Sequence, residues 1–163
     1  MASDIFLKLD GIRGEADHVQ HQGEIEVLSW SWSLSQPHGG NMGGSTSARA
    51  AFHDLVLVKA VDRATPALWH RCASGTHITK ALLTVRDDTV GSQPILRVAL
   101  GDVRIVSVAL TGDTAGERPS ETVHLGFGLV EVSYTPMSPS GAPETAEVFS
   151  WDVRTNKGKL AGP

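Results

Sequence analysis

Histidines are the first residues of this chain that suggest chemistry, because imidazole binds metals and transfers protons near neutral pH. His18 and His21 form an H-x₂-H pair, and His70, Cys72 and His77 surround one short predicted helix. A zinc site needs three or four ligands at regular spacing. The histidines lie mostly in turn-like stretches, and Cys72 falls on an apolar helix face, where a free cysteine acts as a small hydrophobic residue. We expect no metal site and no cofactor.

A glycine-rich segment is the second candidate for chemistry. Gly39 and Gly44 have the spacing of a phosphate-binding loop, and Thr46 stands where such a loop places its Mg²⁺-binding hydroxyl. However, Ser45 occupies the position of the essential lysine. The following residues read as strand rather than helix, so the helix dipole that attracts phosphate is also missing. We therefore interpret residues 36–53 as a long loop and not as a nucleotide site.

Nucleophilic and acid–base catalysis find little support in the sequence. It contains no G-x-S-x-G motif, and Cys72 has no evident base partner. The adjacent Asp87 and Asp88 belong to a predicted turn, where aspartate is common for backbone reasons. Glu121 precedes a strand and is the most notable acid, with an ion pair at the rim of the fold as its simplest role. We predict that the protein is not an enzyme.

Composition and charge exclude further classes of protein. The chain has 163 residues with 14 basic and 18 acidic side chains, a net charge of −4, and no Lys/Arg cluster that would indicate nucleic-acid binding. The longest strongly apolar run is LVLV at 55–58, too short for membrane insertion. The first residues do not read as a signal peptide, and one cysteine excludes an internal disulfide. We expect synthesis in the cytoplasm and, if the protein leaves the cell, export without a signal peptide.

Alternating apolar residues predict many short strands, over 3–9, 24–35, 54–61, 80–86, 94–110, 121–135 and 147–153. One helix is expected between Thr65 as its cap and Gly75 as its end, with Pro66 at the first helical position. The prediction is a mainly β fold: residues 1–163 form a single domain, a closed β-barrel with one short α-helix packed outside and a long extended loop. Gly101 is expected to bend residues 94–110 into two strands or to mark a bulge.

Two strands raise questions about what covers them. Along residues 28–35, bulky apolar residues alternate with serines, and the phase changes at Val27–Leu28, which predicts a β-bulge. The serine face suits either an ordinary exposed surface or contact with another molecule. Residues 54–61 are apolar on both faces except for Lys59, so a second cover, such as a neighbouring subunit, is expected.

Five segments together resemble one known family. They are DIFLKLDGIRGE (4–15), HQGEIEVLSWSWSLSQP (21–37), VDRATPALWHRCASGTHITKALLTVR (61–86), SETVHLGFGLVEVSYTP (120–136) and FSWDVRTNKG (149–158). In this order they resemble the Hcp family, the tube protein of bacterial type VI secretion systems. The pairing of EIEVLSWSW with WDVRTNKG is its most specific part.

The resemblance implies a structural role. Homohexameric rings would stack into a hollow tube inside a contractile sheath, capped by a VgrG-type spike, and the tube would be secreted by the type VI system with small effector proteins in its lumen. The chain ends soon after WDVRTNKGKL, so no fused toxin domain is expected. The alternative from another class is a monomeric β-barrel that carries a small ligand. The tryptophan and leucine content argues for a filled interior instead.

The resemblance also suggests roles for individual residues. The barrel core would contain Leu28, Trp30, Trp32, Leu34 and Trp151. The lumen-facing residues that contact effectors would be Ser29, Ser31 and Ser33. The ring-stacking loop would comprise Pro37, Gly39, Gly40, Asn41, Met42, Gly43, Gly44 and Ser45, so deletion of 39–46 should leave a folded barrel that stacks poorly.

Overall fold

Strands dominate the computed structural model, which describes residues 3–37, 49–87, 93–116 and 118–162. Within these ranges the fold has a single helix, α1 (Thr65–Ser74). The strands are β1 (Ser3–Leu9), β2 (Ile25–Glu26), β3 (Ser29–Ser31), β4 (Leu34–Ser35), β5 (Ala51–Phe52), β6 (Leu55–Ala60), β7 (Ile78–Asp87), β8 (Pro94–Thr111), β9 (Ser120–Gly126), β10 (Leu129–Tyr134), β11 (Glu147–Asp152) and β12 (Lys157–Ala161). The predicted mainly β class with one short helix is confirmed for the described residues.

The long strand β8 joins two parts of the sheet. Its first half pairs with β7 on one side and β10 on the other, within the order β12-β11-β10-β8-β7-β1-β2. Its second half pairs with β9, which continues to β6 and then β3. All of these pairs are antiparallel. Strand β8 is continuous over Pro94–Thr111, so the predicted division into two strands at Gly101 is wrong. Asp102, the next residue, has a φ of 51°, which marks an irregularity of the backbone where the two halves meet.

The chain changes partners at Val27–Leu28 rather than continuing through a bulge as predicted. Val27 N donates to Ile5 O in β1, and the next amide, Leu28 N, donates to Val58 O in β6. Val27 is buried with Ile25, but Leu28 is 63% exposed. The phase change in the sequence therefore marks a crossing from one part of the sheet to the other.

The buried core is built from aliphatic residues of β1, β2, β6, β7, β8 and β9. Ala81, Leu83 and Val85, predicted to point inward, are buried. The predicted core positions Leu28 and Leu34 are wrong, since Leu34 is 45% exposed as well. Leu28 lies at the crossing between partners, and Leu34 lies on the two-residue strand β4, which pairs with the equally short β5.

The three predicted core tryptophans lie at the margin of that core. Trp30, Trp32 and Trp151 are partly buried and pack against the buried cluster. Trp32 and Trp151 both contact the ring of Phe52, with centroids 6.3 and 6.1 Å apart. These side chains form an aromatic layer at the edge of the aliphatic core.

Helix α1 ends as predicted but begins differently. Gly75 closes it in the left-handed conformation, with φ at 66°. The N-cap position belongs to Ala64, which has no side-chain capping hydrogen bond, so Thr65 lies inside the helix. Asp62 contacts this end of the helix, because Ala64 N donates to its Oδ1 at 2.8 Å. The described helical residues form no segment long and apolar enough to cross a membrane.

Candidate functional site

Four strand segments, β3, β6, β9 and the second half of β8, align their outward residues into one face. Directly paired residues in an antiparallel ladder lie on the same side of the sheet. Ser31 pairs with Val56, Val56 with His124, and His124 with Ser107. We call the set the small-residue face; its members are Ser29, Ser31, Val56, Val58, Ala60, Ser107, Ala109, Thr111, Ser120, Thr122 and His124.

The chemistry of the small-residue face is that of short, mostly uncharged side chains. Its members are exposed or half-buried, and none carries a formal charge while His124 is neutral. The next pair in the same phase, Gly126 with the exposed Arg104, adds one cation at the edge of the face. Hydroxyl groups on such a surface both donate and accept hydrogen bonds and so adapt to different partners. Among the described residues no hydroxyl of this face hydrogen-bonds to the His124 imidazole, so the arrangement lacks a paired nucleophile and base.

The serines predicted to face a lumen lie on or beside this face. Ser29 and Ser31 are exposed members of β3. Ser33 is also exposed, between β3 and β4, and its carbonyl accepts a hydrogen bond from His53 N at 3.1 Å. The structure therefore brings Ser31 and Ser33 to one region. That these residues face a channel stays a prediction.

Beneath the small-residue face lies a buried ion pair. Lys59 Nζ donates to Glu121 Oε1 at 2.7 Å, and the two side chains are 1% and 0% exposed. The same ammonium donates to Asp62 Oδ1 at 2.8 Å and to the carbonyl of Ala60 at 2.9 Å. Glu121 is thus not in the rim ion pair suggested by the sequence, since it lies fully inside.

The buried carboxylate also holds helix α1 against the sheet. Thr65 Oγ1 donates to Glu121 Oε1 at 2.9 Å, and Trp69 Nε1 donates to Glu121 Oε2 at 3.1 Å. Both oxygens of Glu121 therefore have donors, as a buried charge requires. The alternation of the strands could have revealed this pair, because Lys59 shares the phase of Leu57, and Glu121 that of Val123.

The histidines of the sequence take part in separate, local contacts. The His21 ring stacks on Phe6 with centroids 4.4 Å apart, and His18 lies beside the same ring at 5.4 Å. His77 Nδ1 lies 2.6 Å from Asp102 Oδ1. Cys72 is half-buried against the core. In the described ranges no three His, Cys, Asp or Glu side chains come together as metal ligands would.

An exposed polar cluster surrounds Asp102, where the two halves of β8 meet. The hydrogen bond from His77 lowers the pKa of the Asp102 carboxyl below its usual 3.8, against a smaller opposing effect of desolvation. Arg104 donates to the other ring nitrogen of His77. Arg154 approaches the second oxygen of Asp102 at 3.8 Å. This cluster balances its own charges at the surface.

The predicted ring-stacking loop is described at one position. Pro37 is exposed at the end of the segment that follows β4. Gly39, Gly40, Asn41, Met42, Gly43, Gly44 and Ser45 lie outside the described residues.

Comparison with known proteins identifies what this sequence and fold resemble. The model of the family described as "Type VI secretion system effector, Hcp" matches residues 6–134. A Pseudomonas aeruginosa protein, hcp1, is 36% identical over 159 residues, which cover 96% of this chain and 98% of that protein. The crystal structure of Hcp1 from Salmonella typhimurium shares 34% identity with a TM-score of 0.80, over 98% of this chain and 100% of the other. The structure of a type six secretion system protein has 25% identity and a TM-score of 0.89, over 97% and 100% of the two chains.

Proposed function

The chain belongs to the Hcp family of type VI secretion system proteins, and from this premise we propose that six copies form a ring around a channel lined by the small-residue face. Rings stack into a hollow tube, which is ejected with a VgrG-type spike when the surrounding sheath contracts. Small effector proteins travel inside the channel. The protein acts as a structural component of this tube and is made in the cytoplasm and exported without a signal peptide.

The small-residue face is the observation that carries the proposal. A channel that accepts varied passengers needs a wall without large apolar residues or strong charge, because either would hold passengers too tightly. Eleven aligned positions on four strands contain serine, threonine, alanine, valine and a single histidine. The opposite side of these strands is packed with aliphatic residues, of which Leu55, Leu57 and Leu125 are fully buried. A carrier with an internal ligand cavity would need room at that point.

The pairing pattern supports a barrel as the unit of the ring. From β1 the pairs run through β7, β8, β9 and β6 to β3, and the crossing at Val27–Leu28 leads back to β1. We infer that this circuit closes as a β-barrel, with β10, β11 and β12 extending from β8. A closed circuit removes the free edges from the part of the sheet that faces the channel.

The outer strand β12 offers a place for contact between subunits. In the described structure it pairs with β11 alone, and all five of its residues are exposed. Leu160 on this strand is 84% exposed. An edge strand with an exposed leucine is stabilised when another chain covers it. This supports self-association, while the role of residues 37 and 39–45 in stacking stays part of the proposal.

Gold labelling tests the ring and the orientation of the face in one experiment. In a Cys72→Ala background, Thr122→Cys places a single thiol on the small-residue face. After labelling with maleimide nanogold, negative-stain microscopy should show rings with gold at their centre. The matched control, Asp113→Cys in the exposed segment between β8 and β9, should not place gold at the centre.

The two parts of the proposal fail separately in this design. Isolated particles of a single 17.3 kDa chain would contradict the ring. Rings with the Thr122→Cys label at their outer rim would contradict the channel assignment and leave the ring standing.

A further inference from the structure

A depression opens at the edge of the small-residue face, where β6 begins. It has a volume of about 330 Å³ and is lined by Ser31, Trp32, Ser33, His53, Asp54, Val56 and His124. This volume is close to that of small ligand sites and exceeds what one amino-acid side chain occupies. Because Ser31, Val56 and His124 belong to the face, a molecule bound to the face at these residues also lies beside the depression.

Asp54 gives this depression its charge. It is the one lining residue that carries a formal charge at neutral pH when both histidines are neutral. Its side chain is 36% exposed, and among the described residues its ion-pair partner is His124, with Nδ1 at 3.8 Å from Oδ2. That distance is too long for a hydrogen bond. The carboxylate therefore keeps acceptor capacity for a donor that enters from outside.

The walls around Asp54 are fixed by hydrogen bonds and ring contacts. Trp32 Nε1 donates to the carbonyl of His53 at 2.9 Å. His53 N in turn donates to the carbonyl of Ser33 at 3.1 Å. The Trp32 ring packs against Phe52 and Phe127, with centroids 6.3 and 6.0 Å apart. The pocket therefore exists before a ligand enters, and little order has to be created on binding.

We propose that this pocket binds a cationic side chain, an arginine or lysine, of the protein carried in the channel. This inference rests on the function proposed above, because that function brings a passenger to the small-residue face. The carboxylate of Asp54 provides the opposite charge, and the hydroxyls of Ser31 and Ser33 provide further acceptors at the pocket wall. Guanidinium and ammonium groups offer several N–H donors to such a set.

Other ligand classes fit the same pocket less well. An anionic group would be repelled by the Asp54 carboxylate. An apolar group would remove water from that carboxylate without replacing its hydrogen bonds. On an otherwise neutral face, one acidic pocket per subunit selects passengers by the basic residues at their surface.

Histidine-detected NMR tests the pocket with small probes. In the full chain labelled with ¹³C at histidine Cε1, the His124 signal is assigned by its loss in His124→Gln. The probe is N-acetyl-arginine amide at low salt, and its matched control is N-acetyl-citrulline amide, which has nearly the same shape and no charge. We expect a saturable shift of the His124 signal with arginine amide and little shift with citrulline amide.

Two variants locate the charge that binds. Asp54→Asn keeps the shape of the side chain and should weaken binding of arginine amide about fivefold, as expected for one partly exposed charge pair. Glu131→Gln makes the same change in net charge on the exposed part of β10 and should leave binding unchanged. Equal shifts with citrulline amide, or unchanged binding by Asp54→Asn, would overturn the pocket assignment.

Ring microscopy on the same samples separates this inference from the proposed function. Rings without arginine binding would overturn the pocket alone. Arginine binding without rings would leave the pocket in place as a cation site and contradict its use in a channel.

Discussion

Strands β6 and β9 have two sides of very different chemistry. Val58 and Thr122 pair on one side, in a surface of small neutral residues. Lys59 and Glu121 pair on the other side, as a buried ion pair. Neighbours in the sequence therefore meet opposite environments, because successive side chains in a strand point to opposite faces.

On these two strands the charged pair lies on the buried side, where it fixes the fold, and the side expected to contact other molecules carries small neutral residues. A buried ion pair contributes little net stability, since desolvation offsets its attraction, but the loss of one partner is costly. Lys59, Glu121, Thr65 and Trp69 form one hydrogen-bonded unit that joins α1 to β6 and β9. The small-residue face does not contribute to this unit, so it can contact different partner molecules without a change in the fold.

The sharpest test places the same acid on adjacent residues of β9. Val123→Asp would bury a carboxylate at a side chain that is 1% exposed, among leucines and isoleucine. We expect a loss of at least about 4 kcal/mol in the free energy of unfolding, or no folded protein. Thr122→Asp lies on the small-residue face and should cost less than about 1 kcal/mol. Urea denaturation measures both, and similar losses for the two variants would contradict the assigned faces.

The next test removes one partner of the buried pair. Lys59→Met keeps most of the side-chain volume but leaves Glu121 without its ammonium donor, so we expect a loss of about 3–5 kcal/mol. Urea denaturation at fixed ionic strength measures the change in the free energy of unfolding. Val58→Met, one residue earlier and on the opposite face, is the control and should change the free energy of unfolding by less than about 1.5 kcal/mol.

A double variant shows whether the cost comes from the unpaired charge. Lys59→Met combined with Glu121→Gln removes both charges and keeps polar atoms for Thr65 and Trp69. The double variant should lose less than the sum of the two single variants, with a coupling of about 1–3 kcal/mol. Simple additivity would mean that Lys59 and Glu121 act independently.

A smaller effect is expected at the helix end of the network. Trp69→Phe removes the indole N–H that donates to Glu121 Oε2, while the ring remains 41% exposed in the parent protein. We expect a loss of about 1–2 kcal/mol, since a hydrogen bond to a charged acceptor is removed and the carboxylate keeps its other donors. His70→Phe, at the next exposed helix position, is the control and should be nearly neutral. Equal losses for Trp69→Phe and His70→Phe would mean that the hydrogen bond from Trp69 does not connect α1 to Glu121.

Much of this architecture follows from the alternation of apolar residues. Ala81, Leu83 and Val85 show how a regular pattern predicts a buried face correctly. Leu28 shows where such a prediction fails. Its exposure depends on a change of partner strand, and the local pattern shows a change of phase there but does not specify the new partner. Strand β4 lies inside the predicted strand over 24–35, but β5, which falls in the predicted loop 36–53, and β12 are not predicted, since neither has a long alternating run.

The candidate site was harder to predict than the fold. Ser29 and Ser31 stood out because serine repeats along one phase of a strand. Ser107, Thr122 and His124 join them through register between distant strands, and register is not encoded in any one of those segments. The sequence predicts Lys59 as an interruption of an apolar strand and Glu121 as a rim charge, because polarity alone suggests exposure.

The smallest effect is expected for charges that are exposed rather than buried. In the native protein the hydrogen bond from His77 lowers the pKa of Asp102, so the ionised carboxylate is favoured by folding. Such a contribution is fully present above the usual value of 3.8 and disappears as the pH falls through the lowered native pKa. His77→Ala should therefore move the Asp102 pKa up toward 3.8 and flatten the loss of stability below that pH. The pKa is followed by ¹³C NMR of the aspartate carboxyl groups. An unchanged Asp102 pKa would mean that Arg154 and Arg104, and not His77, hold the carboxylate in its charged form.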